Sequence, residues 1–213
     1  MDGAPRVHFR HPVAWRAARD GGSTVPETPE HLTEEYLSKV TVDAPPPFSG
    51  RLSLAEYDPE WPRLFAREAS RIRGALGPAA LEVEHVGSTS VPGLAAKPVI
   101  DITLVVADTT DEPAYVPALE AAGYVLRFRE PDWYEHRLFK GPDTNVNLHV
   151  FNPACEETER HLLFRDWIRA HPEDRDLYER TKRDLAAREW PSVQHYADAK
   201  SEVIAEILSR ARA

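Results

Sequence analysis

Two apolar runs, residues 81–86 and 99–106, stand on either side of Gly87, Ser88, Thr89, Ser90, Pro92 and Gly93. That spacing constrains the chain more than any other: strand, hydroxyl-rich turn, short linker, strand. A turn of this kind exposes backbone N–H groups, and the hydroxyls of Ser88, Thr89 and Ser90 add donors, so the segment has the chemistry to cradle an anion such as a phosphate. Asp101 then falls inside the second apolar run. A carboxylate there needs a partner, a metal or water, because burying it bare is costly.

At 213 residues, one domain with an appendage is expected, and a core of this size buries most of its apolar surface. The net charge of -9 and the pI near 5.5 disfavour non-specific nucleic-acid binding, which depends on a basic surface. Cys155 is the only cysteine, which excludes a disulfide framework and a cysteine-based zinc site and points to the reducing cytoplasm. No apolar run approaches the roughly eighteen residues of a membrane span, so no membrane partner is expected. Residues 1–50 carry Gly21-Gly22 and Pro45-Pro46-Pro47 and one short helical pattern at 31–39. They read as a flexible N-terminal extension or linker to a domain at 51–213.

Residues 51–57 alternate as an edge strand. Pro59 and Pro62 open a helix whose Trp61, Leu64, Phe65, Ile72 and Leu76 share one face. A short helix at 115–122 stops at Gly123, and strands follow at 124–129, 136–140 and 146–151, the last two joined at Gly141-Pro142-Asp143. Beyond Pro153 three one-striped helices are expected, the last running from Val193 to Leu208, and they must pack on each other or on the sheet. The fold class is therefore α/β (α+β), a mixed β-sheet flanked by helices with a C-terminal helical bundle.

Side chains two apart on a strand share a face, which pairs Asp101 with Thr103, Asn147 with His149 and Glu82 with Glu84. If the strands lie side by side, Asp101, His149, His136 and either Glu84 or His85 converge near the turn. Mixed histidine and carboxylate ligation suits a divalent metal, with magnesium or manganese favoured over zinc where a carboxylate and phosphates share the ion. The candidate metal ligands are Asp101, His149, His136 and His85. Arg165, Lys182 and Lys200 on the C-terminal helices read either as solvated charge or as groups that lean over the turn to hold phosphate. Gly87, Ser88, Thr89, Ser90 and Lys97 complete the candidate ligand site, and Asp101, Ser88 and His149 are the candidate catalytic residues.

With these residues in view, the chain from about residue 54 to 211 resembles the GrpB family, also called UPF0157. The resemblance rests on EHVGSTSVPGLAAKPVIDI at 84–102, NLHVF at 147–151, HLLFRDWIRAHPE at 161–173 and YADAK at 196–200. It implies a nucleotidyltransferase-like fold, whose pattern is a Gly-Ser turn, a strand with two alternating acids and a third acid on a later strand. Gly87-Ser88 and Asp101 match. Thr103 and His149 stand where the second and third acids would be. The resemblance implies a nucleotide or other phosphorylated small molecule as ligand, or a catalytically inactive accessory module. It also implies a protein partner such as a dephospho-CoA kinase-type enzyme, since a similar domain is joined to that kinase in some actinobacteria.

Overall fold

The computed structural model describes residues 34–42, 52–190 and 193–213. Five strands form one sheet in the order β1-β2-β5-β4-β3: β1 Glu82–Val86, β2 Ile100–Val105, β3 Val125–Glu130, β4 His136–Lys140 and β5 Val146–Phe151. Only β2 and β5 run parallel; β1 with β2, β5 with β4 and β4 with β3 are antiparallel. After β2 the chain crosses to the far edge of the sheet and returns through two hairpins. β2 therefore meets β5, not the next strand in sequence.

The alternation of each strand divides the sheet into an apolar and a polar face. Val83, Ile100, Ile102, Leu104, Val146, Leu148 and Val150 belong to the main core. Against them pack helix α2 (Trp61–Leu76), through Trp61, Ala69, Ile72 and Leu76, and the short helix α3 (Val116–Ala121), through Val116 and Leu119. Pro62 occupies the first turn of α2, where a missing N–H costs nothing, and Gly77 closes it at φ +53°. Glu68 is fully buried on α2, and its carboxylate accepts hydrogen bonds from Tyr124, Thr144 and Arg71. The polar face carries Glu84, Asp101, Thr103, Asn147, His149, His136 and Lys140.

Over that face lies the helical layer: α4 (Glu156–Ala170), α5 (Pro172–Ala186), α6 (Val193–Asp198) and α7 (Ser201–Ala211). Ile168, Tyr178, Val203 and Ile207 close a second core around Val91 and Leu94 of the linker that follows the Gly87 turn.

Two expectations are corrected. The last helix is not continuous from Val193 to Leu208; it breaks at Ala199 and Lys200, where the amides of both bond back to His195 and Ala197. The break lets Tyr196 meet Trp190 while Val203 and Ile207 enter the second core. The expected edge strand at 51–57 makes only an isolated bridge, between Ala55 and Ala96 of the linker. The short helical pattern expected at 31–39 appears as a helix, α1 (Glu34–Val40), that is fastened to β3. Val40 is buried, Thr41 bridges Phe128, and the Val42 amide donates to the Arg127 carbonyl. The remainder of the expected extension lies outside the described residues.

Candidate functional site

Asp101 sits near the start of β2, in register with Val86 of β1 and Asn147 of β5. Gly87, the residue after β1, has φ +68°, and a Cβ there would lie 2.4 Å from Asp101 Oδ2. The absence of a side chain at Gly87 is what lets the carboxylate rest against the turn. Asn147 Nδ2 donates to Asp101 Oδ1 at 2.7 Å, while Lys140 donates to the Asn147 side-chain oxygen. The pairing of β4 with β5 sets Lys140 opposite Asn147.

Asp101 is held below the ordinary carboxylate range. Burial opposes this, and His149, Asn147 and Lys200 outweigh it. Lys97 is shifted downward, first by burial and then by the nearby ammonium groups of Lys200 and Lys140, with Asp101 pulling the other way. Burial likewise lowers Lys140 against the attraction of Asp101. Lys97, Lys140 and Lys200 thus act electrostatically on the corner that holds Asp101, Lys140 through its contact with Asn147.

Beside it runs a chain of polar contacts across the face. Glu130 Oε2 of β3 lies 2.7 Å from His136 Nδ1, His136 Nε2 lies 3.1 Å from His149 Nδ1, and His149 Nε2 lies 3.9 Å from Asp101 Oδ1. The His136 and His149 rings stack at 5.2 Å, and Phe151 stacks on His136 at 4.8 Å. Burial pushes the His136 imidazole down to about 4, against the pull of Glu130. The turn before His136 places Tyr134 and Glu135 at φ +52° and +51°. Such left-handed conformations cost non-glycine residues energy and recur at functional sites. From α4, His161 meets His149 edge-on at 6.0 Å; its Nδ1 is 3.3 Å from Thr103 Oγ1 and its Nε2 3.1 Å from Glu157.

The other expected site residues have different surroundings. His85 faces α2, stacked on Phe65 at 4.7 Å with Nε2 3.1 Å from Thr89 Oγ1, so it lies on the opposite side of the sheet from His149. The Thr89 hydroxyl donates to the Val99 carbonyl and that of Ser90 to the Gly87 carbonyl. Both hydroxyls therefore brace the turn. Ser88 is half-buried in the same short 3-10 turn.

Arg165 donates to Glu84, Asp166 and the His85 carbonyl. Lys182 is buried and donates to the Ala95 carbonyl with its ammonium over the Tyr178 ring. Both are thus engaged by partners within the protein. Lys200, at the break between α6 and α7, has its ammonium over Tyr196 and acts on Asp101.

The four expected metal ligands are thus not brought together. His85 is on the wrong face, and both nitrogens of His136 have partners. Among the described residues no group of three or more histidine, cysteine, aspartate or glutamate side chains is arranged to hold a metal. Asp101 and His149 alone face the same space, a donor set that does not fit a cation held by the protein by itself.

Sequence reasoning passed over Lys140, Glu130 and His161; Arg169 reads there as one more charge on the C-terminal helices, and its guanidinium donates to the Ser90 carbonyl at 2.7 Å. Lys140 and Glu130 become visible only once the β3–β4–β5 register is known; each is an unremarkable charge in its own segment.

Fold and site together define a mixed α/β protein whose five-stranded sheet carries a cation-rich corner under a helical layer. The chain belongs to the GrpB family: the GrpB protein family matches residues 51–210. It is 59% identical to a UPF0157 protein of Halalkalibacterium halodurans over 92% of this chain and 97% of that one. It is 30% identical to the glutamate-rich protein GrpB of Alkalihalophilus pseudofirmus over 75% of this chain and 95% of that one. A crystal structure of the conserved protein GrpB from Enterococcus faecalis superposes with a TM-score of 0.64 at 30% identity, covering 74% of this chain and 98% of that one. Similarity also extends to a dephospho-CoA kinase of Mycolicibacterium paratuberculosis, 31% identical over 74% of this chain and 45% of that protein. No helix among the described residues is long and apolar enough to cross a membrane.

Proposed function

We propose that the chain is a nucleotidyltransferase-like protein that binds a nucleotide or another phosphorylated small molecule at the corner formed by Gly87, Asp101, Lys97, Lys140 and Lys200. The observation that carries this reading is the Gly87 turn closed against Asp101, whose carboxylate accepts from Asn147 while Lys140 donates to the Asn147 oxygen, with Lys97 and Lys200 acting on the same corner electrostatically. In a protein of net charge -9, a local concentration of cations is selective: it attracts phosphate where the rest of the surface repels it. The Gly-Ser turn followed by a strand carboxylate supports the nucleotidyltransferase-like assignment. A divalent cation would enter with the phosphates of the ligand and would find one carboxylate, Asp101.

A second reading is a binding or accessory module without nucleotidyl transfer. Thr103 favours it, because this residue is fully buried beside His161 where a second acid would be needed to clamp two ions. The similarity to a dephospho-CoA kinase makes an enzyme of that kind, or its nucleotide, the natural partner.

Calorimetric titration of the full chain with inorganic pyrophosphate and with ATP, with and without magnesium, tests the binding. Saturable binding is expected. Lys97→Ala and Lys200→Ala should each weaken it about tenfold, the loss of one charge-assisted contact of about 1.5 kcal/mol. Unchanged affinity in both variants, or no binding, sinks the proposal.

A further inference from the structure

Glu130, His136 and His149 make a directed chain of hydrogen bonds. A carboxylate only accepts, so His136 Nδ1 is the donor in its 2.7 Å contact with Glu130. Burial keeps the His136 ring neutral near pH 7, which leaves its Nε2 with a lone pair. The proton in the 3.1 Å contact therefore belongs to His149 Nδ1. It follows that the labile proton position of His149 is Nε2, the nitrogen turned toward Asp101 Oδ1 at 3.9 Å.

That separation is too long for a direct hydrogen bond, yet a water about 2.8 Å from each atom spans it, donating one hydrogen to the carboxylate and one to the imidazole. Its lone pairs then face away from both bases. The side chains of Asp101 and His149 are 29% and 22% exposed, so this position is open to a ligand. Around His149 stand Asp101 from β2, His136 from β4, His161 and Glu157 from α4, and, acting on Asp101, Lys200 from the α6–α7 break. His161 uses its own nitrogens on Thr103 and Glu157 and does not compete for the proton.

The geometry points to a hydrolase: we infer that His149 is the general base that activates a water, held against Asp101, for attack on a phosphate monoester or phosphoanhydride bound at the Gly87 corner. The inference rests on the phosphate-binding reading above. In the step, the water oxygen bonds to phosphorus as the bond from phosphorus to the leaving oxygen breaks. One water proton passes to His149 Nε2, the departing oxygen on the far side of phosphorus takes a proton from solvent, and the imidazolium returns its proton to solvent, so the net reaction consumes one water and yields an alcohol, or a shorter phosphate, and phosphate. The imidazolium formed in between lies within reach of Asp101 and is backed by Glu130 through His136, a positioning residue, so opposite charge is in place before the proton moves.

The test uses the full chain with p-nitrophenyl phosphate and ATP as probes, with and without magnesium, beside pyrophosphate titrations of the same samples. Phosphate release by the unaltered protein is expected. In His149→Asn it should fall by about 10²–10⁴-fold in kcat while pyrophosphate affinity is retained. His136→Asn should lower kcat less and displace its pH profile, which a merely structural residue would not do. Histidine side-chain ¹⁵N spectra of the unaltered protein supply a readout apart from turnover: His149 should carry its proton on Nδ1 when neutral, with an Nε2 signal that moves on adding pyrophosphate. Neutral His149 with its proton on Nε2, undiminished turnover in His149→Asn, or no turnover of either probe while pyrophosphate still binds overturns the hydrolytic role and leaves the binding reading standing. Loss of pyrophosphate binding in the unaltered protein overturns both.

Discussion

At the scale of the residue, Gly87 is the position on which the corner depends. Its φ of +68° is one that side-chain-bearing residues adopt with strain, and the Cβ they carry would meet Asp101 Oδ2 at 2.4 Å. Gly87→Ala should therefore cost about 1–3 kcal/mol and push the carboxylate from its place between Asn147 and the turn. Urea denaturation measures the first effect, and a matching loss of pyrophosphate affinity the second; a variant as stable as the parent would show that the turn relaxes freely. The turn and Asp101 were both legible in the sequence. Their mutual contact was not, since 14 positions along the chain separate them and only the antiparallel pairing of β1 with β2, which sets Val86 opposite Asp101, brings them together.

At the scale of the element, α5 grips the linker that leads from the turn into β2. Glu179 accepts the Ala95 amide at 3.1 Å, and Lys182, one helical turn on, donates to the Ala95 carbonyl, so the two backbone polar groups of one residue are held by side chains three apart. Ala95 is fully buried, and its groups find no water if these partners go. Glu179→Ala should cost about 1–3 kcal/mol, the desolvation of an unpaired amide, and should speed hydrogen exchange at Ala95. Exchange at the parent rate would mean that the amide finds another acceptor. The sequence offers Lys182 as a candidate phosphate ligand; burial gives it this structural task and pushes its ammonium down to about 7, with Lys200 adding to the shift. Periodicity put Lys182 on α5 correctly, but it does not reveal which face of a helix meets a distant linker.

At the scale of the whole molecule, the sheet separates two histidines that both resist protonation. Burial pushes His85 to about 4, with Asp101 opposing and Arg169 and Arg165 reinforcing; burial pushes His136 to about 4, with Glu130 opposing and His149 and His161 reinforcing. In the unfolded chain both titrate near 6.5, so the unfolded state takes up protons first. The stability they supply is full above about pH 6.5 and is lost as pH falls toward 4, on the order of 3 kcal/mol for each. Glu157 adds a lower window: burial opposes its ionisation, but Arg160 and His161 hold it down to about 2, so its contribution fades below about pH 4.5. Thermal unfolding should show Tm falling steeply between pH 6.5 and 4; a flat profile there would contradict these environments. His136→Asn should flatten the upper part of the curve.

The sequence by itself determined the five strands of the sheet and most of the helices, because apolar spacing, proline and glycine act over a few residues; it did not show that 51–57 stays out of the sheet or that the last helix breaks at Lys200. It also offered Asp101, Ser88 and His149 beside the Gly87 turn as candidates for chemistry, and its long motif around residues 84–102 pointed to the family. Only the tertiary structure decided which side of the sheet each histidine occupies and which charges meet. His85 and Asp101 belong to neighbouring strands, yet the pleat turns them to opposite faces. Lys97, Lys140 and Lys200 come from three separate segments and converge on one carboxylate. Pairing between β2 and β5 is a matter of long-range register, and no local pattern of side chains encodes that.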